Sequence, residues 1–388
     1  MRELVRRIEA ATPPDRDRAL DALRALAILG VVLGHWLVTA LVADSGTIRA
    51  AGPLQHLPEF APVSWVFQTL AVFFLVGGQV AARSHAAARA RRESYGHWLA
   101  ARLERFFRPV VALLAVWTVA TLAMLAAGVP WQTLYTLGKL VVSPLWFLLV
   151  LAALTAATPL VARVHPLWPL AVVLHVDLIR FGLDGPDGLG WINVAAGWLV
   201  PYCLGAAWSR HGLPGRTTGW ALLLGGAAAT ALLVLCAGYP ASMVGVPGAP
   251  VSNLNPPTLA AVTFGLAQCG GALLLLGPLR RALRRPVAWA AVALLNLGAM
   301  TVFLWHQTAL MAVTVTGLQA GELVGLGPLL GLHTVPDGYG WVLARLAWLP
   351  FFALALLVCV AAFRTYEQGG RRPGRERRPA ARKEIRGA

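Results

Sequence analysis

Charged residues are scarce in this chain of 388 residues: 13% are Asp, Glu, Lys or Arg, whereas 57% are hydrophobic. A soluble domain would carry about twice that share of charge, so the composition excludes an ordinary soluble enzyme. Cysteine is scarce as well. The four cysteines all fall inside apolar runs and have no metal-type spacing, which predicts small core residues.

Several catalytic and cofactor-binding motifs are also missing. The sequence has no serine nucleophile elbow, no His-Glu-x-x-His zinc motif, no phosphate-binding Gly-x-x-x-x-Gly-Lys and no dinucleotide fingerprint. We therefore predict no metal and no bound cofactor. The net charge is +16, but the basic residues cluster in loops and in the tail, which indicates orientation in a bilayer and no nucleic-acid binding.

Long apolar runs dominate the rest of the sequence. They are too long and too unbroken for the alternating strands of a membrane barrel, and the first run is too long and too charged for a cleavable signal peptide. The fold class predicted is all-α, a polytopic helical membrane protein with about ten transmembrane helices. The predicted spans are 19–42, 61–82, 107–127, 143–164, 166–183, 191–210, 217–238, 257–279, 287–316 and 341–363.

The arginines alternate between loops in a way that predicts the orientation. Every second loop is rich in Arg, and the others contain only Arg49, Lys139 and Arg180. This asymmetry predicts that both termini are cytoplasmic and that the chain is a multi-pass protein of the cell (cytoplasmic) membrane. We expect a polar cytoplasmic leader at 1–18, one transmembrane domain at 19–363 and a basic, disordered cytoplasmic tail at 364–388.

Three ionisable residues stand in the first apolar run. Arg24 and His35 are eleven positions apart, about three helical turns, so they share a face, and Asp21 lies near that face. Such groups are costly in a membrane helix and often mark a functional site. His35 could accept a proton from a hydroxyl or only bind a neighbouring helix. Arg24 could pair with Asp21 or bind an anionic substrate group.

Three further clusters are candidates for binding. Trp305 and His306 lie in the ninth predicted span, where a packing cluster is the alternative. Asn253 and Asn255 lie in a loop before the eighth span and could bind a polyhydroxylated acceptor or form a turn. The arginines at the start of the third span could bind phosphates or anchor the helix; they are Arg102, Arg105 and Arg108.

Short motifs in this order resemble the acyltransferase family 3, the integral-membrane acyltransferases typified by polysaccharide O-acetyltransferases. Arg24 and His35 match an Arg and a His separated by ten residues in the family's first helix. The other matching segments are Val72–Gly78, Arg102–Pro109, Pro144–Leu148 and Phe303–His306. All the matches follow the order of the family, and the resemblance extends over most of the membrane region, roughly residues 16 to 363. Gly77 stands where many members have Ser, and three arginines leave the register of the family's Arg-x-x-Arg pair open.

The resemblance implies transfer of a short acyl group from cytoplasmic acyl-CoA, as co-substrate, to a hydroxyl of a sugar, glycolipid or secondary metabolite. We expect His35 to be general base or transient acyl carrier, with Arg24 and Asp21 in the catalytic group. Arg102, Arg105 and Arg108 are expected to bind the donor. The residues expected to line the substrate site are Trp146, Asn253, Asn255, Trp305 and His306.

Two other classes remain open from the sequence. A proton-coupled transporter or flippase would carry similar intramembrane charges, although no inverted repeat is visible. A lipid-binding scaffold is the third class, and the polar face of the first span argues against it. The expected partners are membrane lipid, the acyl-CoA donor and a hydroxylated carbohydrate or metabolite acceptor, with no nucleic acid. The sequence makes no prediction of oligomeric state.

Overall fold

The computed structural model of the chain describes residues 2–325 and 327–368. Fifteen α-helices and one two-stranded sheet make up these residues. The helices are α1 (Arg2–Ala10), α2 (Arg18–Val38), α3 (Ala61–Ser64), α4 (Leu70–Ala90), α5 (Tyr95–Ala126), α6 (Trp131–Val142), α7 (Leu145–Ala156), α8 (Thr158–Val161), α9 (Leu167–Asp177), α10 (Ile192–His211), α11 (Arg216–Cys236), α12 (Leu259–Ala282), α13 (Pro286–Leu297), α14 (Ala299–Leu323) and α15 (Tyr339–Gln368).

The all-α membrane fold class is confirmed, with nine helical segments in the described part of the chain that are long and apolar enough to cross a membrane. The fifth predicted span corresponds to the short helix α9, which is followed by a π-helical turn at Leu178–Gly182. Helix α9 is too short to be counted among the nine segments. The ninth predicted span is divided between α13 and α14 at Gly298.

Several predicted boundaries were wrong. The third span begins twelve residues early, since α5 starts at Tyr95, so the basic run lies inside the helix. The last helix continues to Gln368, five residues into the predicted tail, and 369–388 lie outside the described residues. The first span ends at Val38 instead of residue 42, because the chain turns there into strands.

A β-hairpin follows α2 and was not predicted. Strand β1 (Ala40–Asp44) pairs antiparallel with β2 (Thr47–Ala51). The connecting residues Ser45 and Gly46 both have positive φ angles, 48° and 79°, as a two-residue hairpin turn requires. The turn lacks the Asn-Gly or Asp-Gly pair typical of such hairpins, which explains why the sequence pattern did not indicate it.

Polar side chains mark the starts of three helices. Asp17 accepts hydrogen bonds from the amides of Ala19 and Leu20 at the start of α2. Ser94 caps α5 through the amide of His97, and Thr258 caps α12. Each side chain satisfies backbone N–H groups that have no partner within the helix.

Helix α4 packs at the centre of the fold, against α2, α10 and α12. Its contact with α10 is close because a glycine from each helix lies at the crossing: a Cβ on Gly205 would approach the Leu75 carbonyl oxygen to 1.9 Å. A Cβ on Gly78 would approach the Tyr202 carbonyl oxygen to 2.1 Å. Small residues allow such backbone contact between membrane helices. Helix α4 separately contacts α2, the helix that carries Arg24 and His35.

The two ends of the described chain lie on one face of the molecule. Arg280, near the end of α12, binds Asp17 at the start of α2 at 3.3 Å. Glu367, near the end of α15, accepts hydrogen bonds from the amides of Met300 and Thr301 at the start of α14. The N-terminal leader forms α1, which packs on α13 of the same face. We call this surface the terminal face.

Candidate active site

A cavity of about 720 Å³ opens on the terminal face. Its wall is formed by the starts of α2 and α14, most of the length of α4, and parts of α5 and α7. Charged residues surround the opening and aromatic residues form the inner end. A volume of this size is in the range of small-molecule and cofactor sites.

Asp21 organises one side of the opening. Its carboxylate accepts two hydrogen bonds from Arg16, at 2.5 and 3.0 Å, and one from Arg24 at 3.2 Å. The hydrogen bond to Asp21 raises the pKa of Arg16, against the opposing effect of burial. Arg24 also donates to the Asn296 side chain at 2.6 Å. The acid and both arginines therefore hold α2 against α13 while they line the cavity.

Three other arginines line the cavity without a salt bridge in the described residues: Arg83, Arg102 and Arg105. The guanidinium of Arg102 lies over the Trp98 ring, 5.5 Å from the ring centroid. Arg108 is different: it does not line the cavity, and it lies 3.9 Å from Glu104 on the same helix. Arg108 thus lies apart from the other two in the structure, and its predicted part in donor binding stays a prediction.

The cavity ends at an aromatic layer. Phe73 and Phe303 line it and both contact Phe147, with ring centroids 4.9 and 5.5 Å apart. The deepest α2 residue in the wall is Ile28, and His35 lies two turns beyond it, about 10 Å along the axis. Because α2 ends at Val38, His35 is in its last turn.

His35 and His306 lie side by side beyond this layer. Their ring centroids are 5.0 Å apart, and the His306 ring lies 6.1 Å from that of Phe303. The Nδ1 atom of His306 bonds the Phe303 carbonyl oxygen, whereas its Nε2 atom is buried without a partner. His35 is half-buried. The His306 imidazole is thus held by the Phe303 carbonyl group, whereas the His35 imidazole retains accessible surface.

Gln307 holds the His35 ring. The side-chain Nε2 atom of Gln307 lies 3.1 Å from Nδ1 of His35, and the Oε1 atom of the same amide has no partner. The two amide orientations are nearly indistinguishable by shape. With Oε1 turned to His35, Nδ1–H donates to it and Nε2 carries the free lone pair that a base requires.

The two polar positions of α2 meet the same neighbouring segment. Arg24 binds Asn296 and His35 binds Gln307, and both pairs are separated by 272 positions. The eleven-residue spacing in α2 is therefore matched by an equal spacing across α13 and α14, despite the break at Gly298. Two polar contacts, one at the cavity opening and one at the histidine pair, thus join α2 to the segment of α13 and α14.

The remaining candidates lie elsewhere. The Asn253 side chain is fully buried and binds the Pro240 and Ser242 carbonyl oxygens and the Thr258 hydroxyl, so it closes a loop. Asn255 is exposed in that loop. Trp305 stacks on Phe363 at 3.8 Å, and Trp146 packs in an aromatic cluster with Trp198 at 6.0 Å. None of these four lines the cavity, and their predicted part in the substrate site stays a prediction.

Three cavity residues were missed by sequence reasoning. Asn296 was hidden as a single amide in an apolar run, and Gln79 lies in the second long helix, its Oε1 atom buried without a partner. Glu367 lies in the segment predicted to be a disordered tail. Polar residues inside apolar runs were the available signal for the first two.

A family model described as an acyltransferase domain, Acyl_transf_3, matches residues 17–364, nearly the whole chain. The chain belongs to this acyltransferase family. Searches of the curated proteins and of the solved structures each gave no match. Membership makes the protein an acyltransferase, and its nine candidate spans make it a multi-pass membrane enzyme. The resemblance found in the motifs is thereby confirmed.

For this acyltransferase we expect Gln307→Leu to lower kcat roughly 10- to 100-fold with little change in the donor KM, because the imidazole loses the partner that selects its tautomer. Gln307→Glu should retain part of the activity and move the pH profile. Steady-state kinetics at several pH values measure both effects. Gln319→Leu, an exposed site on the same helix, serves as the control, and equal kcat values for the two leucine variants would contradict a role for Gln307.

Proposed function

We propose that the protein is an O-acyltransferase that moves a short acyl group, most simply acetyl, from acyl-CoA to a hydroxyl of a sugar, glycolipid or secondary metabolite. The observation that carries the proposal is the alignment of a basic cavity opening with the His35 and His306 pair along α2 and α14. The site is proposed to lie in the cell membrane with the terminal face towards the cytoplasm, because the Arg-rich loops favour that side.

The donor would enter with its phosphates at the opening. Arg83, Arg102 and Arg105 line the opening without a salt bridge among the described residues, so their charges are available to an anion. Guanidinium groups match phosphate oxygens in geometry and charge. Arg24 is already paired with Asp21 and Asn296, which makes it a positioning group for the helix as well as a wall residue.

The uncharged part of acyl-CoA that carries the thioester would extend from the opening into the cavity. The cavity narrows to the layer of Phe73, Phe147 and Phe303, and the thioester must pass these rings to reach His35. Apolar walls suit the uncharged part and exclude water that would otherwise hydrolyse the thioester. The proposed path therefore places charged donor groups outside and the reacting carbonyl inside.

At His35 the reaction has a simple balance. Nε2 takes the proton of the acceptor hydroxyl as its oxygen attacks the thioester carbonyl carbon. A carbon–oxygen bond forms, the carbon–sulfur bond breaks, and the proton passes to the CoA thiolate. In the covalent variant Nε2 itself attacks the thioester carbonyl carbon, a carbon–nitrogen bond forms and the carbon–sulfur bond breaks to release CoA thiolate. The acceptor hydroxyl then attacks the acyl-imidazole, a carbon–oxygen bond forms as the carbon–nitrogen bond breaks, and the hydroxyl proton passes to the thiolate. Gln307 orients the ring in both routes.

The test is purified protein in lipid with radiolabelled acetyl-CoA and a panel of hydroxylated acceptors. We expect label in an ester product and stoichiometric release of free CoA. Label that crosses the membrane on an unchanged molecule, driven by a proton gradient and without CoA release, would instead support a transporter and overturn the proposed reaction.

Charge removal at the opening should weaken donor binding. We expect Arg102→Ala with Arg105→Ala to raise the KM for acetyl-CoA about tenfold or more, since charge-assisted phosphate contacts are lost, with a smaller effect on kcat. Arg108→Ala, on the same helix but outside the cavity, is the matched control. A donor KM that rises equally in the control would show a general charge effect and count against this binding site.

A further inference from the structure

A second recess on the terminal face lies away from the candidate active site. It has a volume of about 500 Å³ and is formed by α9, α10, α11 and α12 with the segment that follows α8. Trp208, near the end of α10, packs in one cluster with Ala19 and Leu20 at the start of α2. This contact places the recess opening on the same face as the active-site cavity.

The rim of the recess is basic. Arg163, His165, Arg210 and His211 line it, and all four are exposed. Neither arginine forms a salt bridge within the described ranges. No Asp or Glu occurs in the sequence between Asp187 and Glu322, so α10, α11 and α12 supply no acid to neutralise this rim. The acid of α9, Asp177, is the last residue of that helix, at the end away from the rim, and binds Asn193 and Tyr239.

The floor of the recess is apolar and points into the bilayer. Aliphatic side chains line it, and all but one remain partly or fully exposed; they are Leu167, Leu170, Val200, Leu204, Leu222 and Leu266. Val200 and Arg210 are ten residues apart on α10, about 15 Å along the axis. That length corresponds to about half of the roughly 30 Å hydrocarbon core, the depth of one leaflet.

We propose that this recess binds one anionic glycerophospholipid of the surrounding leaflet, with the phosphate between Arg163 and Arg210 and an acyl chain along Leu204 and Leu170. A basic rim above an apolar groove between membrane helices matches the amphipathic shape and negative charge of such a lipid. The exposed indole of Trp168 beside the groove suits the headgroup region. The bound lipid would fill the gap between α9 and α10.

Native mass spectrometry of the full-length protein, delipidated in detergent, tests the proposal with phosphatidylglycerol and phosphatidylcholine of identical chains. We expect one phosphatidylglycerol to bind about tenfold more tightly than phosphatidylcholine. Arg163→Gln with Arg210→Gln should lower that affinity about tenfold, since each basic group near a membrane surface contributes to anionic lipid binding. Arg284→Gln with Arg285→Gln removes equal charge at exposed positions outside the recess and should change it less than twofold.

A steric variant tests the groove separately. Ala207→Phe fills the recess and leaves the rim charges in place, so it should weaken phosphatidylglycerol binding even if the double arginine variant fails to fold. Equal affinity for the two lipids would overturn the proposal. So would a loss in the control pair as large as that in the rim pair, or unchanged binding by Ala207→Phe, since either result indicates general attraction to the basic face.

Discussion

His35→Ala is expected to lower acyl transfer by about 10³-fold or more, because the variant removes the group proposed to accept the hydroxyl proton or to carry the acyl group. The imidazole contacts Gln307 and packs beside His306. The measurement is ester formation from labelled acetyl-CoA in lipid, with free CoA quantified in the same reaction.

Two further measurements distinguish a loss of chemistry from a loss of donor binding or of folding. Acetyl-CoA binding and Tm should stay near wild type, because the opening arginines are far from His35 and the alanine removes no buried charge pair. His56→Ala, at an exposed histidine, is the control for purification and handling. Near-normal transfer by His35→Ala, with the control equally active, would remove His35 from the reaction.

The covalent and direct routes predict different amounts of label retained on the protein, which can be measured with the wild type and His35→Ala. If His35 carries the acyl group, wild-type protein incubated with labelled donor and no acceptor retains label in denatured protein, and His35→Ala does not. If His35 is only a base, neither protein retains label. Each result keeps His35 in the site and assigns its chemistry.

Arg345→Met is expected to cost roughly 3 kcal/mol of stability or more, because it leaves buried carbonyl groups without a donor. The Arg345 side chain is fully buried in α15. It donates to the carbonyl oxygens of Trp36 at 2.6 Å, Gly331 at 2.9 Å and Thr39. Its guanidinium also lies 4.7 Å from the centroid of the Phe352 ring. These contacts tie the end of α2 to α15.

The readout is Tm in detergent together with activity. We expect a clear fall in Tm, and a loss of kcat greater than the unfolded fraction explains, since Trp36 is the residue after His35. Arg364→Met, at an exposed position of the same helix, should leave both nearly unchanged. A Tm for Arg345→Met that matches this control would show that the buried guanidinium contributes little.

Some site contacts followed from the sequence and others did not. The eleven-residue spacing of Arg24 and His35 gave their common face, because helical periodicity is local. Their partners Asn296 and Gln307 lie 272 positions away, and no local pattern reports such a separation. The same limit applies to Arg345, because its three carbonyl partners come from two segments that are distant from one another in the sequence.

The arginines of α5 were partly predictable from the sequence. Residues three apart lie along one flank of a helix, but the sequence does not tell which of the three arginines face a cavity. Packing of α5 against its neighbours places Arg102 and Arg105 at the opening and leaves Arg108 beside Glu104. The loop asparagines were candidates for substrate binding in the sequence. In the structure the Asn253 side chain binds backbone carbonyl groups of its own loop.

The sequence by itself determined that this is a helical membrane protein, and its ordered motifs indicated the acyltransferase family, because hydropathy, helical period and short motifs are properties of neighbouring residues. Tertiary structure alone decided the break at Gly298, the hairpin after α2, the partners of His35 and the basic cavity opening. These depend on which helices pack together, and that choice arises from close contacts between distant segments, such as Gly205 of α10 against the backbone of α4.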